Sequence, residues 1–291
     1  MLAEERMNQQ WEERRINVNG ATLHVVQAGP ATGPLLILLH GFPEYWASWS
    51  RYIQPLADAG YRVWVPDQRG YNLSSKPPVV SAYALDELAR DITGLMDLAG
   101  RERARIVGHD WGGTVAWWLA QRAPERIERA VIVNAVHPLV WMRSLRRSPA
   151  QFVRGWYLRF FQVPRLPEAT LRRNDWAALA GLLTRSSRPG TFSEEDLAGY
   201  RTAWGQPGAI SGMLNWYRAI LRQRLGGVDE RIQPPVELIW GARDAAAGIE
   251  LAHQSIARCE RGQLDVIEDA THWVQHEQPE RVLALIERAL R

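Results

Sequence analysis

Cysteine is almost missing from this 291-residue chain, in which Cys259 stands alone. An internal disulfide is therefore impossible, and a zinc-type cysteine cluster is excluded as well. Long hydrophobic runs are also missing, because runs such as Leu35–Leu39 fall far short of the roughly 20 residues that cross a bilayer. The segment Met1–Arg15 is polar and charged and has no apolar signal sequence. We expect a soluble, cytoplasmic protein that does not associate with membranes.

Lysine is also rare: Lys76 is the single lysine of the chain, and the other Lys or Arg residues among the total of 35 are arginines. The net charge is only +3, and the pairs Arg14-Arg15 and Arg146-Arg147 are far less dense than a nucleic-acid-binding arm. Hydrophobic residues make up 46% of the chain, which is ordinary for a globular protein large enough to bury an active-site cavity. We predict no nucleic-acid partner, and nothing in the sequence indicates a metal or an organic cofactor.

Short apolar runs alternate with helical patterns through the first half of the chain. This alternation is typical of a mostly parallel sheet that helices cover on both faces. The predicted strands are Leu35–Leu39, Tyr61–Pro66, Ala104–Val107 and Val131–Asn134, and the predicted helices are Ala82–Leu98 and Gly112–Arg122.

The pattern changes at about Leu139, after which amphipathic helical stretches rich in Trp, Tyr and Arg replace the strands as far as Gly227. Strands return at Val236–Trp240 and Leu264–Ile267, and a helix closes the chain at Pro279–Leu290. A sheet that is interrupted and then resumed indicates an inserted domain. We predict a core domain over residues 1–137 and 228–291, with a helical cap over residues 138–227.

The sharpest motif is Gly-His-Asp-Trp-Gly-Gly at positions 108–113, which follows a predicted strand and opens a helix. It is a Gly-x-nucleophile-x-Gly elbow in which Asp110 stands where esterases carry serine. The glycines are needed because side chains on so tight a turn would collide with the neighbouring backbone. The helix N-terminus behind the turn favours a negative charge. We predict that Asp110 is a nucleophile; the plainer alternative is an N-cap aspartate on a Gly-rich turn.

A second motif, His-Gly-Phe-Pro-Glu at positions 40–44, directly follows the strand Leu35–Leu39. Together with the elbow it resembles the α/β-hydrolase family, in which such a turn supplies one amide of the oxyanion hole. The resemblance begins near Trp11 and implies the α/β-hydrolase fold. It also implies that the amides of Phe42 and Trp111 form the oxyanion hole, where one donor is typically worth a factor of about 10² to 10³ in rate.

Other residues of these motifs are expected to be architectural. His40 and Glu44 should shape their turn without contacting substrate. The run Asp67–Tyr71 matches a motif that is common after the next strand in this family, and we assign it no chemistry.

The catalytic base has to be chosen among several histidines. In this fold the chain order is nucleophile, acid and then histidine, with the histidine after the last strand. His272 fits this order because it follows Leu264–Ile267. We expect His276 to be a surface residue and His109 to point away from the pocket. The remaining candidates are His24, His40, His137 and His253.

The acid that orients His272 can follow either of two strands in this fold. After Val131–Val133 the chain has Asn134, which carries no charge, whereas Asp244 follows Val236–Trp240. We therefore choose Asp244, with Asp229 and Glu250 as weaker substitutes.

A carboxylate nucleophile suits an sp³ carbon that bears a leaving group, and its attack gives an ester between enzyme and substrate. Water activated by His272 would then attack the carbonyl of the Asp110 ester. This logic covers epoxide opening and carbon–halogen cleavage, which differ in how the departing atom is stabilised.

The cap sequence favours the epoxide. Leu-Asn-Trp-Tyr-Arg at positions 214–218 closely resembles the lid motif of epoxide hydrolases, whose tyrosine donates to the epoxide oxygen. By that resemblance Tyr217 is one acid and Tyr157 its partner, since a phenol with a pKa near 10 is protonated at neutral pH. The alternative is that both tyrosines contribute only to the packing of the predicted cap.

The prediction is an epoxide hydrolase that converts a small apolar epoxide and water into a diol. We expect Trp111, Trp156, Pro43 and Trp273 to line the pocket, and we leave open whether the protein is a monomer or a homodimer.

The main alternative is a haloalkane or haloacid dehalogenase that uses the same nucleophile. Trp111 fits a halide site and an epoxide hydrolase equally well. Many haloalkane dehalogenases, however, have an asparagine where this chain has Phe42, and haloacetate dehalogenases place their acid where it has Asn134. A remote alternative is an inactive hydrolase scaffold that serves as a binding protein.

Overall fold

A computed structural model describes residues 11–147, 149–223, 225 and 231–291 of the chain. One sheet is formed by strands β1 (Glu12–Val18), β2 (Ala21–Ala28), β3 (Leu35–Leu39), β4 (Arg62–Pro66), β5 (Ala104–His109), β6 (Ile127–Val133), β7 (Val236–Gly241) and β8 (Gly262–Ile267). Their order is β1-β2-β4-β3-β5-β6-β7-β8. Strands β3 to β8 are parallel to one another, and β2 runs antiparallel to both β1 and β4.

The α-helices in chain order are α1 (Ser50–Asp58), α2 (Leu85–Leu98), α3 (Trp111–Arg122), α4 (Pro138–Arg147), α5 (Pro149–Arg154), α6 (Trp156–Phe160), α7 (Leu166–Ser186), α8 (Glu194–Trp204), α9 (Ala209–Ile220), α10 (Ile249–Ile256), α11 (Val274–Glu277) and α12 (Pro279–Leu290). Short 3-10 turns cover Trp46–Trp49, Val80–Tyr83 and Pro124–Arg126. No helix in the described ranges combines the length and apolarity needed to span a membrane.

The predicted α/β-hydrolase fold is confirmed, and its central strands lie within a residue or a few of their predicted positions. Every residue of β3 and of β7 is buried, as expected for parallel strands that are covered on both faces. The helix predicted over Ala82–Leu98 begins later, at Leu85, because Val80–Tyr83 forms a separate 3-10 turn.

The antiparallel hairpin of β1 and β2 was not among the predicted elements. Most of β1 is exposed and polar, so it lacks the apolar run that marks a buried strand. Its turn, Asn19-Gly20, has positive φ at both residues, 46° and 71°. An Asn-Gly pair with this conformation is the strongest short-range hairpin signal, and it was present in the sequence.

Helices α4 to α9 follow one another between β6 and β7. Two of their indoles tie them to core loops: Trp216 donates to the carbonyl of Arg69, and Trp204 donates to that of Pro43. The division into a core and a cap over residues 138–227 stays a prediction, and its borders fall partly on 226–230, outside the described residues.

Arg69, in the loop after β4, is anchored by a buried ion pair with Asp91 of α2. Its Nε lies 2.8 Å and its Nη2 2.5 Å from the two carboxylate oxygens of Asp91. The guanidinium also donates to the carbonyls of Asn19 and Ala82, so one residue joins the β1–β2 turn, the β4 loop and α2. The motif to which Arg69 belongs therefore has the architectural role predicted for it.

Asp91→Ala should lower the free energy of unfolding by about 3–5 kcal/mol, because it leaves the buried Arg69 charge without its carboxylate. Asp97→Ala on the same helix removes an exposed pair with Arg126 and should cost less than about 1 kcal/mol. Equilibrium unfolding in urea compares the two variants. Equal losses would contradict the anchoring role of Arg69.

Candidate active site

The elbow between β5 and α3 holds Asp110 in a strained conformation, with φ 49° and ψ −116°. Glycines on both sides make the turn possible. A Cβ at Gly108 would overlap the backbone of Gly112, and a Cβ at Gly112 would overlap the carbonyl of Leu39. These two glycines therefore allow the turn to bring Asp110 close to the end of the neighbouring strand β3.

The carboxylate of Asp110 has two differently placed oxygens. Oδ1 accepts a hydrogen bond of 2.8 Å from the amide of Phe42, in the loop after β3. Oδ2 lies 3.6 Å from Nε2 of His272. Trp111 is the first residue of α3, so its amide belongs to the first turn, where helix amides lack an intrahelical acceptor.

His272, in the loop after β8, stands between two carboxylates. Its Nδ1 lies 2.7 Å from Oδ2 of Asp244, which follows β7. Asp244 is itself held by Asn134, whose amide nitrogen donates to Oδ2 at 2.7 Å, and by the amides of Ala246 and Ala247, which donate to Oδ1. Asn134, the uncharged residue that follows β6, thus helps to hold Asp244, which follows the next strand of the sheet. Of the weaker substitutes, Asp229 lies outside the described residues.

The charges of the three groups depend on one another. Burial opposes the positive charge of His272, but the negative charges of Asp244 and Asp110 outweigh it and hold the pKa of His272 well above its usual value. Burial likewise raises the pKa values of Asp110 and Asp244, and the nearby His272 more than offsets this, so both lie below the usual range. At neutral pH the group is therefore an imidazolium between two carboxylates.

Glu44 forms a second buried network behind the elbow. Its Oε2 lies 2.8 Å from Nδ1 of His109, and its Oε1 lies 2.6 Å from Nε2 of His276. Burial raises the pKa of Glu44, but these histidines reverse the effect and hold it well below the usual range. His109 bonds through Nε2 to the carbonyl of His272 at 2.9 Å, so this network also fixes the loop that carries the proposed base.

The expectation that His276 is a surface residue was therefore wrong. Its side chain is only 15% exposed because it reaches inward to Glu44. No local pattern could have shown this, since the two residues are 232 positions apart.

A cavity of about 540 Å³ lies between the loops at the sheet ends and helices α6, α7 and α9. Asp110 and His272 line this cavity together with Tyr157 and Tyr217, which belong to α6 and α9. Burial, followed by the negative charge of Asp110, raises the pKa of both phenols. Both therefore stay protonated and can donate hydrogen bonds into the cavity. Other lining side chains are mostly apolar and include Phe42, Phe160, Phe161, Leu171, Leu179 and Trp273.

A second, smaller cavity of about 60 Å³ adjoins the two carboxylate- and imidazole-bearing residues and the two tyrosines named above. Asp110, His272, Tyr157 and Tyr217 line both cavities, so the reactive groups stand between a large space and a small one. Trp111 faces the small one. The arrangement can hold a compound with one bulky arm and one small substituent.

The predicted pocket residues differ in how they relate to these cavities. Pro43 lines neither of these cavities; it lies beneath α8, where its carbonyl accepts from Trp204. Trp156 lines the large cavity only at its edge, since 61% of the residue is exposed. Trp273 is buried in the cavity wall, where its indole donates to Ser186.

No group of three or more His, Cys, Asp or Glu side chains in the described ranges could hold a metal ion. Residues 34–279 match the family described as the alpha/beta hydrolase fold. The chain belongs to the α/β-hydrolase family.

Relatives of this α/β-hydrolase include named proteins and solved structures. The AB hydrolase superfamily protein YfhM of Bacillus subtilis is 45% identical, over 93% of this chain and 95% of that protein. Epoxide hydrolase 1 of Caenorhabditis elegans is 36% identical, over 96% of this chain and 70% of that protein. The crystal structure of a Bacillus megaterium epoxide hydrolase with an inhibitor has a TM-score of 0.85 at 29% identity, covering 95% of this chain and 99% of that one.

The charge arrangement in this α/β-hydrolase makes a prediction for His272. Replacing Asp110 by Asn removes one of the two negative charges that raise the pKa of His272, so this pKa should fall and the imidazolium should lose its proton at a lower pH. NMR titration of the His272 ring measures the change. Asp269→Asn, an exposed change on the same loop, is the control and should leave the pKa where it is. An unaltered pKa in Asp110→Asn would contradict the proposed coupling.

Proposed function

We propose that this protein is an epoxide hydrolase that works through a covalent ester on Asp110. The observation that carries the proposal is one cavity in which a carboxylate on a nucleophile elbow faces two protonated tyrosines. The epoxide hydrolases among its relatives and structural neighbours support the same activity. Location in the cytoplasm and the monomeric or homodimeric state stay predictions from the sequence.

In the first step, Oδ2 of Asp110 attacks a ring carbon of the epoxide, and the bond from that carbon to the ring oxygen breaks. The oxygen takes a proton from Tyr157 or Tyr217, which leaves a phenolate. Oδ1 becomes the carbonyl oxygen of the new ester and keeps its hydrogen bond from the amide of Phe42. The rigid elbow holds the attacking oxygen in place, so little orientational freedom has to be given up on the way to the transition state.

Forming the ester removes the negative charge of Asp110. The pKa of His272 falls as a result, and the imidazolium can return its proton to the phenolate. This transfer leaves a neutral His272 beside an ester, which is the state that a general base requires.

In the second step, His272 takes a proton from water, and the hydroxide attacks the ester carbonyl of Asp110. The negative charge develops on Oδ1, where Phe42 and, by resemblance, Trp111 provide amide donors. The bond between the acyl carbon and Oδ2 breaks, so Oδ2 leaves with the diol and receives the proton of the new carboxyl group. Asp110, the imidazolium and both phenols are then restored.

The contacts of Phe42 do not favour the dehalogenase alternative. The ring of Phe42 packs against Tyr217, with centroids 5.2 Å apart, and offers no N–H to a halide. The Trp111 side chain interacts with the hydroxyl of Tyr217, so the indole that could bind a halide is directed at the proposed acid. These contacts support the phenols, rather than the Trp111 indole, as the groups that stabilise the leaving atom.

Replacing the proposed base should trap the intermediate. His272→Gln should accumulate the ester, because the first step still proceeds and the second lacks its base. Intact-mass analysis after incubation with an aryl epoxide should show the protein mass raised by one substrate. The double variant His272→Gln/Asp110→Asn is the control and should show no adduct. An adduct in the double variant would place the nucleophile elsewhere.

The tyrosines should act on the leaving oxygen. Tyr217→Phe and Tyr157→Phe should each lower kcat/KM for epoxide opening about 10²-fold or more, because each removes one donor to the charge that develops. Tyr61→Phe, whose hydroxyl bonds to Leu290 far from the cavity, should retain wild-type diol formation. Unchanged rates in the two cavity variants would reduce Tyr157 and Tyr217 to packing residues.

A further inference from the structure

The wall of the large cavity includes one face of a cap helix. Non-helical backbone angles at Arg173–Trp176 break α7 into two helices. The residues of the second helix that line the cavity are Ala178, Leu179, Gly181, Leu182, Arg185 and Ser186. Their spacing of three to four residues shows that a single stripe of this helix faces the cavity.

Arg185 is the only lysine or arginine that lines this cavity in the described part of the chain. It lies in the last turn of the helix and is exposed, at the opening of the cavity. Among the described residues no carboxylate pairs with it, whereas the nearby Arg188 pairs with Asp269. Arg185 therefore offers an unneutralised charge to whatever enters the opening.

Gly181 makes room for the guanidinium of Arg185 to lie against the cavity wall. A Cβ at position 181 would overlap the guanidinium of Arg185, one helical turn further along. A glycine inside a helix costs roughly 1 kcal/mol relative to alanine. Its presence here leaves room for the Arg185 side chain to fold back over the stripe that faces the cavity.

The segment of the chain around Arg185 also carries a net positive charge. Residues 138–190 contain ten arginines and two acidic residues, whereas the rest of the chain has fewer basic than acidic residues. A surface with an excess of one charge attracts ligands of the opposite charge and raises their rate of encounter. The charge of the cap and the position of Arg185 both favour an anionic group at the opening.

We propose that Arg185, made accessible to the cavity by Gly181, forms a carboxylate-binding subsite at the cavity opening. The substrate class is then an epoxide on an apolar arm whose far end carries a carboxylate. The epoxide lies at Asp110, the arm lies along the aromatic and aliphatic wall, and the carboxylate accepts paired hydrogen bonds from the guanidinium. The substrate assignment rests on the proposed epoxide hydrolase activity, but the subsite itself does not.

The test compares a straight-chain carboxylic acid that carries a terminal epoxide with the methyl ester of the same acid. Diol formation gives kcat/KM for both compounds. The wild-type protein should prefer the acid, and Arg185→Gln should lower kcat/KM for the acid about fivefold while leaving the ester unchanged. The preference of the wild-type protein should also shrink as salt is raised, since the opening is solvated.

Matched variants separate the subsite from general effects of charge and stability. Arg172→Gln removes an exposed arginine of α7 that does not line the cavity, and it should keep the wild-type preference. Gly181→Ala should reduce the preference without changing any charge, because its Cβ displaces the guanidinium. Melting temperatures check that Arg185→Gln has not merely weakened the end of the helix.

A binding measurement keeps the subsite testable apart from catalysis. Quenching of tryptophan fluorescence reports binding of a straight-chain fatty acid and of the matching alcohol, since Trp156 and Trp273 line the cavity. Tighter binding of the acid that Arg185→Gln abolishes supports the subsite, even if no epoxide is opened. Turnover of both epoxides with no effect of Arg185→Gln on the ratio overturns the subsite and leaves the proposed function standing. Equal losses in Arg172→Gln and Arg185→Gln also overturn it.

Discussion

The backbone of Asp110 is held at a positive φ of 49° on the turn from β5 to α3, and the rest of the site is built around that turn. A non-glycine residue in such a conformation costs about 1–3 kcal/mol and persists only where the surroundings impose it. Here the fully buried strand β3 and the glycines of the elbow impose it, because α3 begins so close to the β3 carbonyls that Gly112 has no room for a Cβ. The result is a carboxylate at the carboxyl end of the sheet, between the Phe42 amide and His272.

The charges of the site follow from this placement. His272 lies between Asp110 and Asp244, and each ionised carboxylate contributes to the stabilisation of its proton. Esterification of Asp110 would remove one of these two negative charges and lower the pKa of His272, so that it can act as a base. Helices α6 and α9 complete the arrangement, because burial and the charge of Asp110 raise the pKa values of Tyr157 and Tyr217 and keep both phenols protonated. One change of charge thereby links the two halves of the proposed reaction.

Some of this could be read from the sequence. Buried parallel strands such as Leu35–Leu39 and the elbow around Asp110 are local patterns, and the chain order of the fold leads to His272 and Asp244. The hairpin of β1 and β2 was missed because an exposed strand has no apolar run, although its Asn-Gly turn was a usable signal. The Glu44–His276 contact and the position of Arg185 depend on long-range packing and on a break inside α7, which no local pattern encodes.

The origin of the oxygen atom in the diol tests the central claim most directly. A single turnover with enzyme in excess over an epoxide, carried out in water enriched in ¹⁸O, is followed by mass spectrometry of the diol. Because Oδ2 of Asp110 becomes the new hydroxyl oxygen, the account predicts a diol without ¹⁸O and a protein whose Asp110 carboxylate has gained the label. A labelled diol from an unlabelled protein would show direct attack by water and would contradict Asp110 as the nucleophile.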